Sequence, residues 1–228
     1  MIKEDIVIFG TSKVAEIVYD CIMDDPESKW NPVAFTVDSN YRADDEKFGL
    51  PVVDFEAVEE KYSAQKYKMI VAMGYHSMNK VRAQKCKDAK EKGYQLVSFV
   101  HSGADIPSSA IIGENTIILN NVSVGSFAKV GDDVCIYSGA VVSHHTEIGN
   151  HVWITSGTVI GGNSHVGDNC FLGINSTIGH NICVGSNNFI GAGAIITKNT
   201  ENDAVYILAD TTKYRLNTDR FIKMFRFD

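Results

Sequence analysis

The chain has 228 residues, of which 44 % are hydrophobic and 21 % are charged, and its formal net charge is −7. This length suits one large domain or two small ones, and the acidic balance argues against nucleic-acid binding because no basic stripe is available to meet phosphates. No apolar run approaches the roughly 18 residues of a membrane span and no signal-peptide core follows the first residues, so we expect a cytoplasmic protein.

The first hundred residues are predicted to alternate strands and helices. Residues 6–10 are expected to form a buried strand that ends in glycine, after which Thr11 and Ser12 can cap a helix through Cys21. Further strands are predicted at 33–37, 69–74 and 95–100, with helices from Asp54 to Tyr62 and from Met78 to about Lys92. Strands separated by helices indicate a parallel sheet, so residues 1–103 are predicted to be a small Rossmann-like α/β domain.

From Ile106 to Ile196 an aliphatic residue recurs at every sixth position without a break. In ten of the sixteen repeats the residue after the aliphatic one is glycine. The residue four positions after the aliphatic one is mostly small or β-branched. Such a hexapeptide repeat is typical of a parallel β-helix, in which three hexapeptides make one triangular coil of 18 residues. We therefore predict a left-handed β-helix of about five coils at 104–200, followed by a C-terminal extension at 201–228.

The 18-residue coil predicts which side chains are stacked. His144, Gly162 and His180 are spaced by 18 and should form one column, beside a second column of His145, Asn163 and Asn181. Glu147 and His165 should likewise be neighbours and form a local ion pair. Because adjacent coils are about 4.8 Å apart, His144 should lie next to Gly162, whereas His180 should be about 10 Å away.

The column of His144 and Gly162 combines groups that could catalyse acyl transfer. A histidine beside a free backbone N–H combines a general base with an oxyanion donor, which is what acyl transfer requires. Two histidines in a β-helix also suggest the γ-class carbonic anhydrases, which bind metal between subunits. That class has a third histidine five residues after the second, where this chain has Gly185, so no metal site is predicted. The five cysteines show no CxxC spacing and are expected to be reduced thiols.

Residues 141–179, VVSHHTEIGNHVWITSGTVIGGNSHVGDNCFLGINSTIG, together with GTSKVAE at 10–16, resemble the nucleotide-sugar acetyltransferases of the sialic-acid O-acetyltransferase and bacillosamine-pathway N-acetyltransferase group. The resemblance extends over the chain to about residue 200. It implies a homotrimer with active sites between subunits, acetyl-CoA as acyl donor, a nucleotide sugar as acceptor and a role in surface polysaccharide or glycan biosynthesis. The expected acceptor group is the amine of a 4-amino-4,6-dideoxy sugar.

The resemblance also implies site residues. His144 would be the general base, with His145 beside it and the Gly162 N–H stabilising the oxyanion. Acetyl-CoA would lie along a groove lined by Trp153, Gly162, Gly173, Ile174, Ala192 and Lys198. The nucleotide sugar would have its pyrophosphate on the N–H groups of a helix N-terminus, with an acidic residue facing the base or ribose and a turn closing the pocket. These substrate residues are Gly10, Thr11, Ser12, Lys13, Asp38, Gly74, Tyr75 and His76.

Three features depart from the family pattern. His145 occupies the position of an acidic residue that usually orients the catalytic histidine, Trp153 replaces a histidine near the thioester, and a proline-rich closing turn is absent. In place of that turn the chain has residues 207–215 and a predicted short helix to Phe227. The chain carries a basic cluster after the repeat that could meet the phosphates of CoA or simply form a solvated helix face. The cluster comprises Lys198, Lys213, Arg215, Arg220, Lys223 and Arg226.

Two other functions remain open at this stage. The same scaffold could acetylate a sugar hydroxyl, or it could bind a nucleotide sugar without catalysis. An unprotonated amine is a strong nucleophile, whereas a hydroxyl depends wholly on the base, so a base without an acidic partner favours the amine. The nucleobase, the sugar and the size of the acyl group are not predicted.

Overall fold

The computed structural model of the protein describes residues 3–225. The N-terminal part is a five-stranded sheet in the order β3-β4-β2-β1-β5, in which only β3 is antiparallel to its neighbour. Its elements are β1 (Glu4–Phe9), α1 (Lys13–Asp24), β2 (Trp30–Val37), β3 (Glu46–Lys47), β4 (Leu50–Asp54), α2 (Val58–Lys61), β5 (Lys68–Val71) and α3 (Lys80–Glu91). Short 3-10 turns cover Ser39–Tyr41 and Phe55–Ala57.

This sheet matches the predicted alternation with two differences. The β3–β4 hairpin was not predicted, because β3 has only two residues and both are charged. The strand expected at 95–100 is divided between two sheets: Leu96 bridges to Met69 at the edge of the N-terminal sheet, and Phe99–Val100 (β6) pairs with a strand of the β-helix. The β-helix therefore begins a few residues before the predicted boundary at 103.

After β6 the chain forms a triangular coil of two-residue strands. Face A holds β9 (Ser123–Val124), β12 (Val141–Val142), β15 (Val159–Ile160), β18 (Thr177–Ile178) and β21 (Ile195–Ile196). Face B holds β7 (Ile111–Ile112), β10 (Lys129–Val130), β13 (Glu147–Ile148), β16 (His165–Val166) and β19 (Cys183–Val184). Face C holds β6, β8 (Ile117–Ile118), β11 (Cys135–Ile136), β14 (Trp153–Ile154), β17 (Phe171–Leu172), β20 (Phe189–Ile190) and β22 (Val205–Tyr206).

The hexapeptide period has the physical cause predicted for it. The second residue of each strand points inward, so that aliphatic residues 18 apart stack in one core; Ile136, Ile154 and Leu172 are fully buried there. Burial of each such side chain contributes about 1.5–3 kcal/mol. The corners that join faces A and B, B and C, and C and A are named the AB, BC and CA corners.

The N-terminal domain packs on face C. The outward side chains of this face, Ile117, Cys135, Trp153 and Phe171, join the apolar cluster that contains Phe35 and Ile70 of the N-terminal sheet. Because face C is one side of a triangle, the AB corner lies on the far side of the β-helix from this packing.

Beyond β22 the chain runs through exposed residues to α4 (Thr218–Phe225). The predicted helix end at Phe227 and the basic residue Arg226 lie outside the described residues. No helix within residues 3–225 has the length and apolar character needed to cross a membrane.

Candidate functional site

The AB corner brings His144 and Gly162 together as predicted. The Asn163 N–H donates to the His144 carbonyl at 3.0 Å, and the Asn181 N–H donates to the Gly162 carbonyl at 3.0 Å. The exposed imidazole of His144 folds over Gly162 so closely that a Cβ at position 162 would be 2.7 Å from Nε2. Glycine is therefore required there to leave room for the imidazole.

The Gly162 N–H is available as a donor. Within the described part of the chain, the Gly161 N–H donates to the Ile178 carbonyl, but no acceptor takes the N–H of Gly162. An unpaired N–H can stabilise a tetrahedral oxyanion, and an imidazole nitrogen close to it can accept the proton of the attacking group.

His145 lies beside His144 in a left-handed conformation. Its φ is 55°, and Phe127, Asn163 and Asn181 of the same column have φ values of 63°, 57° and 57°. The two Nδ1 atoms of His144 and His145 are 3.2 Å apart, so one ring donates to the other. The His145 ring also packs against Phe127, with centroids 5.0 Å apart.

The direction of this hydrogen bond determines whether His144 can accept a proton at Nε2. If His144 donates from Nδ1, its Nε2 is unprotonated and can accept a proton above Gly162. If His145 donates instead, Nε2 of His144 carries the proton and cannot act as a base. His145 thus stands where the family pattern has a carboxylate, with its Nδ1 within hydrogen-bond distance of His144.

The predicted donor residues lie at two corners. Gly173, Ile174 and Ala192 form the CA corner, where a Cβ on Gly173 would be 2.6 Å from the Ala192 nitrogen. Ile174 is exposed there, whereas Lys198 is exposed at the AB corner, two residues after the last strand of face A. One chain therefore does not bring His144 and the CA corner together, since face A separates them.

Trp153 is not at either corner. It is 2 % exposed on face C, where its ring contacts Arg82 at 5.2 Å, Tyr75 at 5.5 Å and Tyr137 at 5.3 Å. This position contradicts the expectation that Trp153 lines the donor pocket, because the side chain is covered by the N-terminal domain. Its bulk and indole ring instead suit the packing between the two halves of the chain.

The β1–α1 turn has the geometry of an anion site, with one correction. Gly10 has φ +120°, and a Cβ there would be 2.5 Å from the Ala72 carbonyl oxygen. Its N–H donates to the Thr36 carbonyl at 2.8 Å, so it cannot bind pyrophosphate as expected. Within residues 3–225, the N–H groups of Thr11 and Ser12 have no acceptor, and Ser12 makes no side-chain cap on α1.

The remaining substrate residues surround this turn. Lys13 is exposed at the first position of α1, and a cavity of about 110 Å³ is lined by Thr11, Ala43, Asp44, Lys47 and Val52. Asp38 follows β2 and forms an ion pair with Lys85 of α3 at 2.8 Å, which restrains its carboxylate. Gly74 and the exposed Tyr75 and His76 follow β5.

A buried polar cluster at the BC corner was not predicted. The fully buried Arg82 donates from Nε to Asp133 Oδ1 at 2.8 Å, and His151 Nδ1 is 2.9 Å from Asp133 Oδ2. Asn115 donates to the same Oδ1 at 2.8 Å. The spacing of 18 between Asn115, Asp133 and His151 accounts for their stacking, but nothing in the sequence indicated that Arg82 would reach them.

The BC corner borders a groove of about 880 Å³ between α3 and the β-helix. His151 is partly exposed to this groove, but its carboxylate partner is also held by Arg82 and Asn115. Lys90 and Glu114 form an ion pair at 2.8 Å in the same groove. The charges are mutually paired, so the cluster joins the two halves of the chain and the AB corner stays the candidate catalytic site. Within residues 3–225, no group of three His, Cys, Asp or Glu side chains is arranged to hold a metal ion.

Comparisons with known proteins agree with this architecture. Residues 109–144 and 163–198 match the family model described as bacterial transferase hexapeptide (six repeats). The acetyltransferase domain of PglB from Neisseria gonorrhoeae FA1090 superposes with a TM-score of 0.78 at 22 % identity, over 89 % of this chain and 96 % of that one. The chain therefore has the same fold as that acetyltransferase domain.

Two further solved structures have the same fold. PerB from Caulobacter crescentus, in complex with CoA and GDP-perosamine, has a TM-score of 0.78 at 24 % identity and covers 90 % of this chain and 94 % of its own. WeeI from Acinetobacter baumannii AYE has a TM-score of 0.58 at 17 % identity, over 88 % and 95 % of the two chains. No curated protein sequence matches the chain. The predicted fold, a Rossmann-like domain followed by a left-handed β-helix, is thereby confirmed.

Proposed function

We propose that this protein transfers the acetyl group of acetyl-CoA to the amino group of a nucleotide-linked amino sugar of the 4-amino-4,6-dideoxy class. The observation that carries the proposal is the His144 imidazole lying over Gly162 with a free backbone N–H beside it. Similar folds bind the expected ligands: one PglB structure contains acetyl coenzyme A, and the PerB structure contains CoA with GDP-perosamine.

The proposed reaction begins with the neutral sugar amine. Its nitrogen attacks the thioester carbonyl carbon while Nε2 of His144 accepts the amine proton, with the Nδ1–H of His144 donated to His145. The new C–N bond produces a tetrahedral intermediate whose oxyanion accepts a hydrogen bond from the Gly162 N–H. The C–S bond then breaks, and the CoA thiolate takes the proton back from the imidazolium, which leaves an amide, CoA-SH and a neutral His144.

The site is proposed to be formed between copies of the chain. The β1–α1 turn, Tyr75 and the N-terminal domain lie on the side of face C, whereas His144 is at the opposite AB corner. A sugar held by the N-terminal domain therefore cannot reach His144 of its own chain. A homotrimer that places the CA corner of one subunit beside the AB corner of the next would complete the site, with the Gly173–Ala192 corner holding CoA.

The acceptor half is proposed to hold the diphosphate at the N-terminus of α1. The free N–H groups of Thr11 and Ser12 and the positive end of the helix suit an anion. Asp38 would face the ribose or base, and Gly74, Tyr75 and His76 would close the pocket over the sugar. Residues 1–103 would thus bind the acceptor and 104–200 the donor, in a pathway of surface polysaccharide or glycan synthesis in the cytoplasm.

The basic residues after the repeat are proposed to assist the donor. Among the described members of the cluster, Lys198 is the one at the AB corner, three coils along from His144. Its ammonium group suits a phosphate of CoA. Lys213, Arg215, Arg220 and Lys223 are exposed in the C-terminal extension, and no described contact ties them to the site.

Transfer to a sugar hydroxyl is the alternative on the same scaffold. The neutral His145 in place of a carboxylate weakens the base, which a hydroxyl would need more than an amine. A thiol-release assay with acetyl-CoA and UDP-, dTDP- and GDP-linked 4-amino-4,6-dideoxy sugars, each paired with its 4-hydroxy counterpart, tests both. Turnover only with amine acceptors is expected; turnover only with hydroxyl sugars would reverse the assignment, and none with either would leave a nucleotide-sugar binder.

A further inference from the structure

The segment between β5 and α3 has an unusual backbone. Ser77, Met78 and Asn79 are consecutive non-glycine residues in the left-handed region, with φ values of 52°, 53° and 65°. Such residues persist only where the surrounding structure holds them, and they often mark functional loops. This segment directly follows Gly74, Tyr75 and His76, which are assigned to the acceptor pocket.

Asn79 is held by the β-helix. It occupies the N-cap position of α3, yet its side chain makes no cap hydrogen bond. Its Nδ2 donates to the Cys170 carbonyl at 3.2 Å, and its Oδ1 accepts from Arg82 Nη1 at 3.2 Å. The side chain is fully buried, so the amide that could cap its own helix instead joins the loop to a coil 91 residues away.

Arg82 fixes the other end of this link. Its Nε and Nη2 donate to the Asp133 carboxylate and carbonyl at 2.8 Å and 2.7 Å, and both residues are buried. Asn115 ties the same carboxylate to the end of β5, because its Oδ1 accepts the Val71 N–H at 2.7 Å. The start of the loop and its end are therefore both attached to the β-helix.

Between these attachments Tyr75 lies on face C. Its ring is 4.7 Å from Phe171 and 5.5 Å from Trp153, and about half of the residue is exposed. Phe171 is two residues before Gly173, where the candidate donor corner begins. Residues 74–76, which are assigned to the acceptor pocket, and the CA corner, which is assigned to CoA, thus meet at the same short stretch of one coil.

We propose that Asn79 and Arg82 are positioning residues that lock the 74–76 loop onto face C and so set the acceptor sugar in register with the donor corner. The inference rests on the proposed function. Small displacements of a substrate-positioning loop are costly to catalysis because the reacting atoms must meet within about 3–3.5 Å. The link acts on binding and placement of the acceptor, whereas the proton transfer stays with His144.

The test uses Asn79→Gly, which keeps a backbone tolerant of positive φ but removes the amide. In a Trp30→Phe background Trp153 is the only tryptophan, so its fluorescence reports whether Tyr75 still covers it. We expect a red shift, stronger acrylamide quenching and a roughly 10- to 100-fold rise in KM for the 4-amino-sugar nucleotides. The KM for acetyl-CoA should change less than about twofold.

The matched control is Ser77→Gly, which relaxes the same backbone segment at an exposed residue and should change neither readout. Asn79→Asp keeps the Arg82 contact and should recover part of the acceptor KM. Unchanged Trp153 emission in Asn79→Gly would overturn the locking role. A shifted emission with unchanged acceptor KM would overturn the positioning role while leaving acyl transfer, which His144→Ala tests separately, untouched.

Hydrogen exchange of the unmodified protein provides a test that needs no variant. The amides of Asn79 and Lys80, which donate to the carbonyls of Tyr75 and Ser77, should exchange as slowly as those of the β-helix coils to which the segment is attached. Exchange as fast as in the exposed 207–217 stretch would refute the lock even if Asn79→Gly failed to fold.

Discussion

Nε2 of His144 lies above Gly162, in the space that any side chain at position 162 would fill. The contact joins two residues that are 18 apart in sequence and adjacent in the coil, and it leaves the imidazole exposed at a corner with a free N–H. The proposed base and the proposed oxyanion donor are thereby held by the repeat itself, with no loop that must close to form the pair.

Replacement of Gly162 by alanine should displace the imidazole without disturbing the coil. The new Cβ would be 2.7 Å from Nε2 but the backbone φ is not in the left-handed region, so the ring must move rather than the chain. We expect kcat to fall on the order of 10²-fold with little change in the melting temperature. In a His144→Ala background the same substitution should cost almost nothing further, which a double-mutant cycle measures. Additive losses would contradict the contact.

Removal of the imidazole tests the base directly. His144→Ala should lower kcat by about 10²–10⁴ with acetyl-CoA and the amino-sugar nucleotide, because the imidazole that lies over Gly162 is the proposed acceptor of the amine proton. His180→Ala is the matched control, since it removes an exposed histidine of the same column two coils away. Equal losses of kcat in the two variants would show that any change to the surface of the AB corner lowers activity and that His144 has no specific role.

The hydrogen bond between the two histidines predicts which substitutions of His145 keep activity. Nε2 of His144 can accept the amine proton only while the Nδ1–H of His144 is donated to an acceptor at position 145, which the Nδ1–Nδ1 distance of 3.2 Å allows. His145→Asn should therefore keep kcat within about tenfold, because asparagine accepts the same hydrogen bond and tolerates φ near 55°. His145→Gly tolerates the same backbone but has no acceptor, and it should lower kcat by about 10²-fold.

The control for this comparison is His165→Asn, which removes a distant exposed imidazole and should leave kcat unchanged. Equal kcat values for His145→Asn and His145→Gly would show that no acceptor at position 145 orients His144.

Contacts set by the repeat period could be predicted from the sequence, whereas contacts between the two domains could not. A strict period of six required an inward aliphatic stack, and its multiple of 18 placed Gly162 under His144 and His165 beside Glu147, which form a contact at 3.9 Å. By contrast, Trp153 was placed by family pattern alone, and its true neighbours Arg82 and Tyr75 come from the other domain. The Gly10 N–H was expected to be free because a turn motif does not reveal that Thr36 of the next strand accepts it.

The buried and exposed ion pairs of the β-helix should differ sharply in their contribution to stability. Arg82–Asp133 and Lys129–Glu147 have nearly equal lengths, 2.8 Å and 2.7 Å, but the first pair is buried and the second is more than half exposed. Asp133→Asn leaves a buried guanidinium without its counter-charge and should cost about 3–5 kcal/mol of unfolding free energy. Glu147→Gln should cost less than about 1 kcal/mol.

Urea unfolding at one fixed protein concentration compares these two variants, because assembly makes stability depend on concentration. Similar midpoints for Asp133→Asn and Glu147→Gln would mean that the Arg82 charge is solvated by relaxation of the interface.

The cysteines should differ in reactivity in the order of their burial. Burial raises the pKa of Cys135 and of Cys170 to about 11, so at pH 8 only about one in a thousand of each is a thiolate. Burial and the nearby Asp133 carboxylate raise the pKa of Cys86 further, whereas Cys183 is exposed on the outer side of face B. Burial also raises the pKa of the half-buried Cys21. Ellman's reagent at pH 8 should therefore modify Cys183 fast, Cys21 more slowly and the three buried thiols only after denaturation. Cys183→Ser should abolish the fast phase; a fast phase that survives would contradict this order.

Because the acyl-transfer assay detects the thiol of released CoA, Cys183→Ser is also the background in which turnover is measured without a fast protein signal.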